Sequence, residues 1–403
     1  MSLTVCIITK NEEKFIGQCI DSISAISSEI IVVDSKSTDN TVHIALEKGA
    51  VVYTIDWIND YSFARNYAIE KAKSDWILFL DADEYLINAK KLMQEAYRKS
   101  DSNTGGFLIE RLDKYRRKED GKIEQYPIGL VRLFKNIPGI EFKGTVHEQI
   151  NTTITSNGLK IKILEKSKII HQVHKSTDDF IDHKQMYYLH LIEKELELDP
   201  NNIWMQYQHA KTLWYLNRKQ EAKTEFLSLA QNNKAGIVIT CSSLCNLAIL
   251  LSEEELFETA LENVTKSLNI NPNQSLGYLI AGNIHYKLSN YTLSVNCYKK
   301  VKTKINLLKY EEVIPGDLYV YPEEKLYRIA LCYLAQGKRI AGIFLLKRAL
   351  SKNKLHTSSL YTLALIEMRK KPSKALEKIN LCLKLNHEWT EPQLALNKLI
   401  QHN

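Results

Sequence analysis

Over residues 3–86, short β-branched apolar runs alternate with amphipathic stretches, a rhythm compatible with very few folds. The apolar runs cover residues 3–8, 30–33, 51–54 and 76–80, and helical patterns fill 12–24, 38–48 and 61–73 between them. Nearly continuous apolar strands joined by helices predict a parallel sheet covered on both faces. Sheets of this kind open their ligand crevice beyond the carboxyl ends of the strands. Asn11, Asp34 and Asp81 all fall at such ends. Alternating, turn-punctuated segments at 106–112, 130–135 and 159–163 read as further strands. Helical periodicity takes over beyond Thr177. The predicted organisation is an α/β domain over residues 1–175 followed by an all-α domain over 176–403.

A chain of 403 residues exceeds what one hydrophobic core usually supports, which agrees with two units. The net charge of +7 favours anionic ligands without requiring nucleic acid, and none is expected as a partner. No apolar stretch reads as long enough to span a bilayer, and residues 1–10 lack the basic start of a signal peptide. A cytoplasmic protein without a membrane span is therefore expected. Seven scattered cysteines in apolar surroundings read as reduced core thiols.

Small residues 12 apart recur in the helical half as Ala210/Ala222, Ala248/Ala260, Gly282/Ser294 and Ala330/Gly342, with Ala364/Ala375 one residue short. A two-helix unit of about 34 residues needs small side chains where its helices cross. Pro200 and Pro272 fall at handovers between units, and residues 307–322 form an insertion. The pattern resembles the tetratricopeptide repeat family in a degenerate form. Superhelices of this kind offer a surface for an acceptor peptide or for a second copy of the chain in a homodimer.

Residues 76–84, WILFLDADE, are an apolar strand that ends in three carboxylates within four residues. Carboxylate oxygens are hard ligands suited to Mg²⁺ or Mn²⁺, and such a metal commonly bridges one or two of them to substrate phosphates. Asp83 is the expected direct ligand, and Asp81 the ribose contact or a second member of the metal site, with Ala82 between them. Taken alone, the segment also reads as a helix cap. In residues 30–41, IIVVDSKSTDNT, a second strand runs into Asp34 and then into Asp39 among capping residues. Thr9, Asn11 and Glu12 follow the first strand, with Thr9 placed to meet a nucleotide and Glu12 to fold back onto loop amides. Arg65 opens a helix, where its charge opposes the macrodipole and calls for a diphosphate or a neighbouring Asp as partner.

These four segments, in this order, resemble the family 2 glycosyltransferases of the GT-A fold. The resemblance implies that Thr9, Glu12, Asp34 and Arg65 line a UDP-sugar site, with Asn11 and Asp39 as further donor-binding candidates from their place at the strand ends. It further implies that Asp81-Ala82-Asp83 holds Mn²⁺ or Mg²⁺ on the diphosphate, and that the anomeric carbon is inverted. Residues 141–148, EFKGTVHE, and His171 extend the likeness to a branch that includes lipopolysaccharide-core glucosyltransferases and sublancin-type peptide S-glycosyltransferases.

Inverting transfer needs a base near the acceptor proton, and Glu148 beside His147 provides a carboxylate and an imidazole in one loop. Glu148 is the expected base, with His147 as the other candidate, and His171 is the expected third metal ligand. The leading expectation is transfer of a hexose, glucose foremost, from a UDP-sugar to Cys or Ser of a bacteriocin-type precursor peptide. Transfer to a lipopolysaccharide-core or cell-wall glycan is the rival within the same chemistry. A repeat scaffold with an inactive donor domain is the rival from another class.

Overall fold

The computed structural model describes residues 2–116, 123–172, 178–304, 319–386 and 389–401. The first part runs β1 (Leu3–Thr9), α1 (Ile16–Ile23), β2 (Glu29–Asp34), α2 (Thr41–Glu47), β3 (Val51–Thr54), α3 (Tyr61–Lys71) and β4 (Trp76–Asp81). It continues through β5 (Glu84–Ile87), α4 (Ala89–Lys99), β6 (Thr104–Arg116), β7 (Ile123–Lys135), α5 (Asn151–Ser156) and β8 (Lys160–His171). All eight strands join one sheet in the order β3-β2-β1-β4-β7-β6-β8-β5.

The four strands read from the opening rhythm are mutually parallel, with β1 between β2 and β4. Thr9 lies opposite Asp34 on one side, and Ile8 lies opposite Asp81 on the other. The carboxyl ends of β1, β2 and β4 therefore form one rim, where the crevice of a parallel sheet belongs. Their apolar side chains are almost wholly buried and build the main core with α1 and α4. Beyond β4 the sheet turns mixed: β7 runs antiparallel to β4, β8 parallel to β6, and β5 antiparallel to β8.

Helices follow as α6 (Asp178–Leu198), α7 (Ile203–Tyr215), α8 (Lys219–Gln231), α9 (Gly236–Glu253), α10 (Phe257–Ile270), α11 (Ser275–Lys287) and α12 (Tyr291–Lys300). The last five are α13 (Pro322–Ala335), α14 (Arg339–Lys352), α15 (Thr357–Glu367), α16 (Pro372–Leu385) and α17 (Thr390–Gln401). Compactness divides the chain inside α9, between Ser243 and Leu244. Helices α6 to α8 thus belong to the compact unit that carries the sheet, although they lie beyond residue 175. Each predicted small pair sits on successive helices and is buried, Ala210/Ala222 in the first unit and the other four pairs in the second. The Ser294 hydroxyl on α12 donates to the Gly282 carbonyl on α11 at 2.7 Å, and a Cβ at Gly282 would lie 2.5 Å from the Tyr298 ring, so the crossing needs a glycine. These helix pairs are tetratricopeptide-like repeats. The described residues reach only the edges of the predicted insertion, since residues 305–318 lie outside them.

One reading changes. Helix α9 is, among the described residues, long and apolar enough to cross a membrane by length and composition, with a mean hydropathy of 1.6 over 18 residues. Its interrupting Ser, Cys and Asn residues hide this run from a count of apolar residues alone. More than half of the segment, 56%, is buried within the protein, as in the core helix of a repeat. No disulfide joins the cysteines among the described residues, and all but the half-buried Cys297 are buried.

Candidate active site

The rim is assembled by loops that tie the ends of β1 and β2 together. Asn11 adopts a left-handed conformation (φ 56°), which lets its side-chain oxygen accept from the Thr38 amide at 2.8 Å while its own amide donates to the Ser37 hydroxyl. The buried Asp34 carboxylate accepts from the Ser37 amide at 2.9 Å and from the Ser37 hydroxyl. Asp39 accepts from the Thr41 amide and hydroxyl and from the Glu13 amide. Burial works against the ionised Asp39, but these donors hold its carboxyl below the usual range. Both of its oxygens thus accept inside the loop pair, as both Asp34 oxygens do at Ser37, and each carboxylate keeps lone pairs for a further hydrogen-bond donor. The Glu13 carboxylate folds back onto the Asn40 amide at 3.1 Å, and the Glu12 amide donates to the Thr41 hydroxyl. Thr9 is buried in register with Asp34, and its hydroxyl has no hydrogen-bond partner among the described residues. An unsatisfied buried hydroxyl on this rim is a ready contact for a ligand.

The loop that carries Glu148 is stitched to the start of α3 from one side. The Asn66 side chain exchanges a pair of hydrogen bonds with the Phe142 backbone, the Tyr61 amide donates to the Thr145 carbonyl, and the Ser62 hydroxyl donates to Gly144. Gly144 takes a φ of +99°, open to glycine at little cost. From the other side, the Thr145 amide and hydroxyl both donate to Glu195 of α6 at 2.7 Å, and the Trp204 indole of α7 donates to the His147 carbonyl at 2.9 Å. Val146 is sealed against Leu191, Ile192 and Met205. The first two helices after the sheet therefore act as a clamp on the loop of the candidate base.

Charge is concentrated where this loop meets β4. Arg65 is buried between the rings of Phe79 and Phe142, its guanidinium carbon 4.7 and 5.3 Å from their centroids. It donates through Nε to Glu148 and through Nη2 to Asp81 at 2.9 Å. Of the two partners expected for Arg65, the structure provides the neighbouring Asp. Arg132 of β7 donates to the other Asp81 oxygen at 2.8 Å and to the fully buried Glu84 at 2.9 Å. Arg111 of β6 bridges Glu84 at 3.0 Å and Asp113 at 2.7 Å. Asp113 meets His171 Nδ1 at 3.1 Å, and His171 Nε2 faces Asp83, also at 3.1 Å. A chain of alternating charge thus runs Glu148, Arg65, Asp81, Arg132, Glu84, Arg111, Asp113, His171, Asp83. Five carboxylates face three guanidinium groups and one imidazole, which leaves room for added positive charge.

This arrangement sets Asp81 apart from the other two expected metal ligands. Both Asp81 oxygens face guanidinium groups, and a cation placed there would meet like charge. Burial alone would raise the Asp81 carboxyl, but Arg132 and Arg65 hold it well below the usual range. Among the described residues no three His, Cys, Asp or Glu side chains form a metal cluster. Asp83 and His171 do fit a divalent cation that takes its remaining ligands from a diphosphate and water. Their facing atoms are close, and the second imidazole nitrogen is held by a carboxylate in the manner of metal-bound histidines. Without a cation, burial disfavours the imidazolium, but hydrogen bonds to Asp113 and Asp83 prevail and push the His171 pKa up to about 9. Ala82 is buried and serves as the turn between the two aspartates.

His147 has a left-handed backbone (φ 53°) and packs edge-on against Tyr188, centroids 5.4 Å apart. Burial first, then the positive charges of Lys211 and Lys184, pull its pKa down to about 4. Its imidazole is therefore neutral near pH 7. Sequence reasoning passed over Arg132, Arg111, Asp113 and Glu195. The available signal was charge inside strand patterns, in ERLD at 110–113 and VRLF at 131–134.

Residues 4–160 match the model of Glycosyl transferase family 2. The N-terminal domain belongs to that family. The chain is similar to the SPbeta prophage-derived glycosyltransferase SunS of Bacillus subtilis, 30% identical over 240 residues, 58% of this chain and 54% of SunS. A TPR repeat-containing protein of Synechococcus elongatus is 37% identical over 153 residues, 38% of this chain and 36% of the relative. An uncharacterized glycosyltransferase of Rickettsia typhi is 33% identical over 159 residues, 38% of this chain and 53% of the relative. The matched region spans about half or less of the length of these relatives. Among solved structures, S. aureus TarS 1-349 aligns with 72% of this chain and 92% of its own at 14% identity. Its TM-score of 0.35 marks a loose overall likeness.

Proposed function

We propose that the chain is an inverting hexosyltransferase that moves glucose from a UDP-sugar to Cys or Ser of a bacteriocin-type precursor peptide. The observation that carries this reading is Arg65, which fixes Glu148 and Asp81 on one guanidinium and so places the candidate base beside the donor rim. The peptide acceptor rests on the resemblance of residues 141–148 and His171 to the peptide S-glycosyltransferase branch. In the proposed step Glu148 takes the acceptor S–H or O–H proton as the sulfur or oxygen attacks the anomeric carbon. The bond from that carbon to the diphosphate breaks, and UDP leaves. Thr9 and Asp34 meet the nucleoside end, and the charged rim orients the acceptor and shields the reacting carbon from water. Asp83 and His171 would hold Mn²⁺ or Mg²⁺, which when bound offsets the charge growing on the diphosphate.

The test is incubation with a panel of UDP- and GDP-sugars, Mn²⁺ and a Cys- and Ser-bearing peptide, read by intact mass. A gain of one hexose from UDP-glucose, lost in Glu148→Gln, is expected. UDP release without peptide modification, together with labelling of a lipopolysaccharide or cell-wall glycan, would move the acceptor to the glycan class. No UDP release from any donor would overturn the transferase reading.

A further inference from the structure

We infer that Asp113 is a positioning residue that aims His171 at the cation site, an assignment that rests on the reading of Asp83 and His171 as the metal-binding pair. The strand pairing builds the arrangement. β8 ends at His171 between two strands, opposite Glu84 of β5 on one side and, one residue past the Leu112 and Ile170 partners, beside Asp113 of β6 on the other. A neutral imidazole carries its proton on either nitrogen, and only one tautomer leaves Nε2 free to bind a metal. The Asp113 carboxylate, 3.1 Å from Nδ1, selects that tautomer by accepting the Nδ1 proton. Nε2 is then left facing Asp83.

Asp113 is itself fixed. Its second oxygen accepts from Arg111 at 2.7 Å, and the same guanidinium reaches Glu84 at 3.0 Å. Arg111 and Asp113 are two residues apart on a strand and so share a face. Glu84 in turn accepts from the Asp81 amide at 3.0 Å, which anchors the support to the turn that carries Asp83. The cation pair therefore rests on a rigid carboxylate and guanidinium frame that reaches back to both sides of the site. Carboxylates behind metal-bound histidines typically change affinity by about 10–100-fold when removed.

Mn²⁺ binding in the presence of UDP, followed by the EPR signal of free Mn²⁺, tests this on the full chain. Asp113→Asn and Asp113→Ala should weaken binding by about 10–100-fold. Asp113→Glu should restore part of it. Adding either change to His171→Ala should weaken binding no further, because the two residues act as one unit. A structural role alone would lower the melting temperature of Asp113→Asn and leave Mn²⁺ affinity intact, and that result would overturn the assignment. If His171→Ala and Asp83→Ala also bind Mn²⁺ as the parent does, the metal-pair reading itself fails. Loss in those two variants with none in the Asp113 variants refutes the positioning role alone.

Discussion

Arg65→Met isolates the buried ion pairs at the centre of the site. Methionine keeps much of the stem volume between Phe79 and Phe142 but removes the charge that Glu148 and Asp81 share. Deleting one partner of a buried pair costs about 3–5 kcal/mol. Asp81 keeps Arg132, and its side chain is 28% exposed, whereas Glu148 is 11% exposed. These differences place the cost near the lower figure, about 3 kcal/mol, or roughly a hundredfold in local stability. Hydrogen exchange of β4 and α3 amides, corrected for intrinsic rates, reads this without assuming that the whole chain unfolds in one step. Arg65→Lys should recover only part, since an ammonium cannot reproduce the two-sided guanidinium contact. Unchanged protection in Arg65→Met would refute the charge chain.

The remaining predictions concern acid stability and the repeats. The pKa of His147 lies at about 4 in the fold against an ordinary 6.5, so the fold refuses a proton that the unfolded chain accepts. Its stabilising effect is complete above about pH 6.5 and is lost as pH falls toward 4, a swing of at most about 3 kcal/mol. His147→Gln should flatten the acid limb of stability against pH, measured by the same exchange experiment. In the repeats, a Cβ at Gly282 would lie 2.5 Å from Cε1 of the buried Tyr298 ring. Gly282→Ala should destabilise the helical unit by about 1–3 kcal/mol, seen as a lower melting transition.

The parallel half of the fold was legible because its signals are local. Strand runs, capping residues and the carboxylates at 81–84 lie within one segment each, and the register of β1 with β2 and β4 then sets Thr9, Asp34 and Asp81 on one rim. The small pairs were legible for the same reason, since each helix crossing repeats at a fixed spacing. The supports of the site were not. Arg132 meets Asp81 across 51 residues because β7 returns antiparallel beside β4, and no periodicity predicts that pairing. Asp113 and His171, 58 residues apart, meet only through the β6 and β8 ladder. The clamp of Glu195 and Trp204 on the Glu148 loop likewise depends on how α6 and α7 pack. Asp81 was assigned to the metal from its neighbour Asp83, and the arginines that occupy it arrive from elsewhere in the chain.

Calorimetric titration of UDP into the full chain, with and without Mn²⁺, tests the donor site most directly. The account predicts that Mn²⁺ tightens UDP binding by at least about tenfold in the parent and not in Asp83→Ala. UDP binding of equal strength in all four combinations would contradict it.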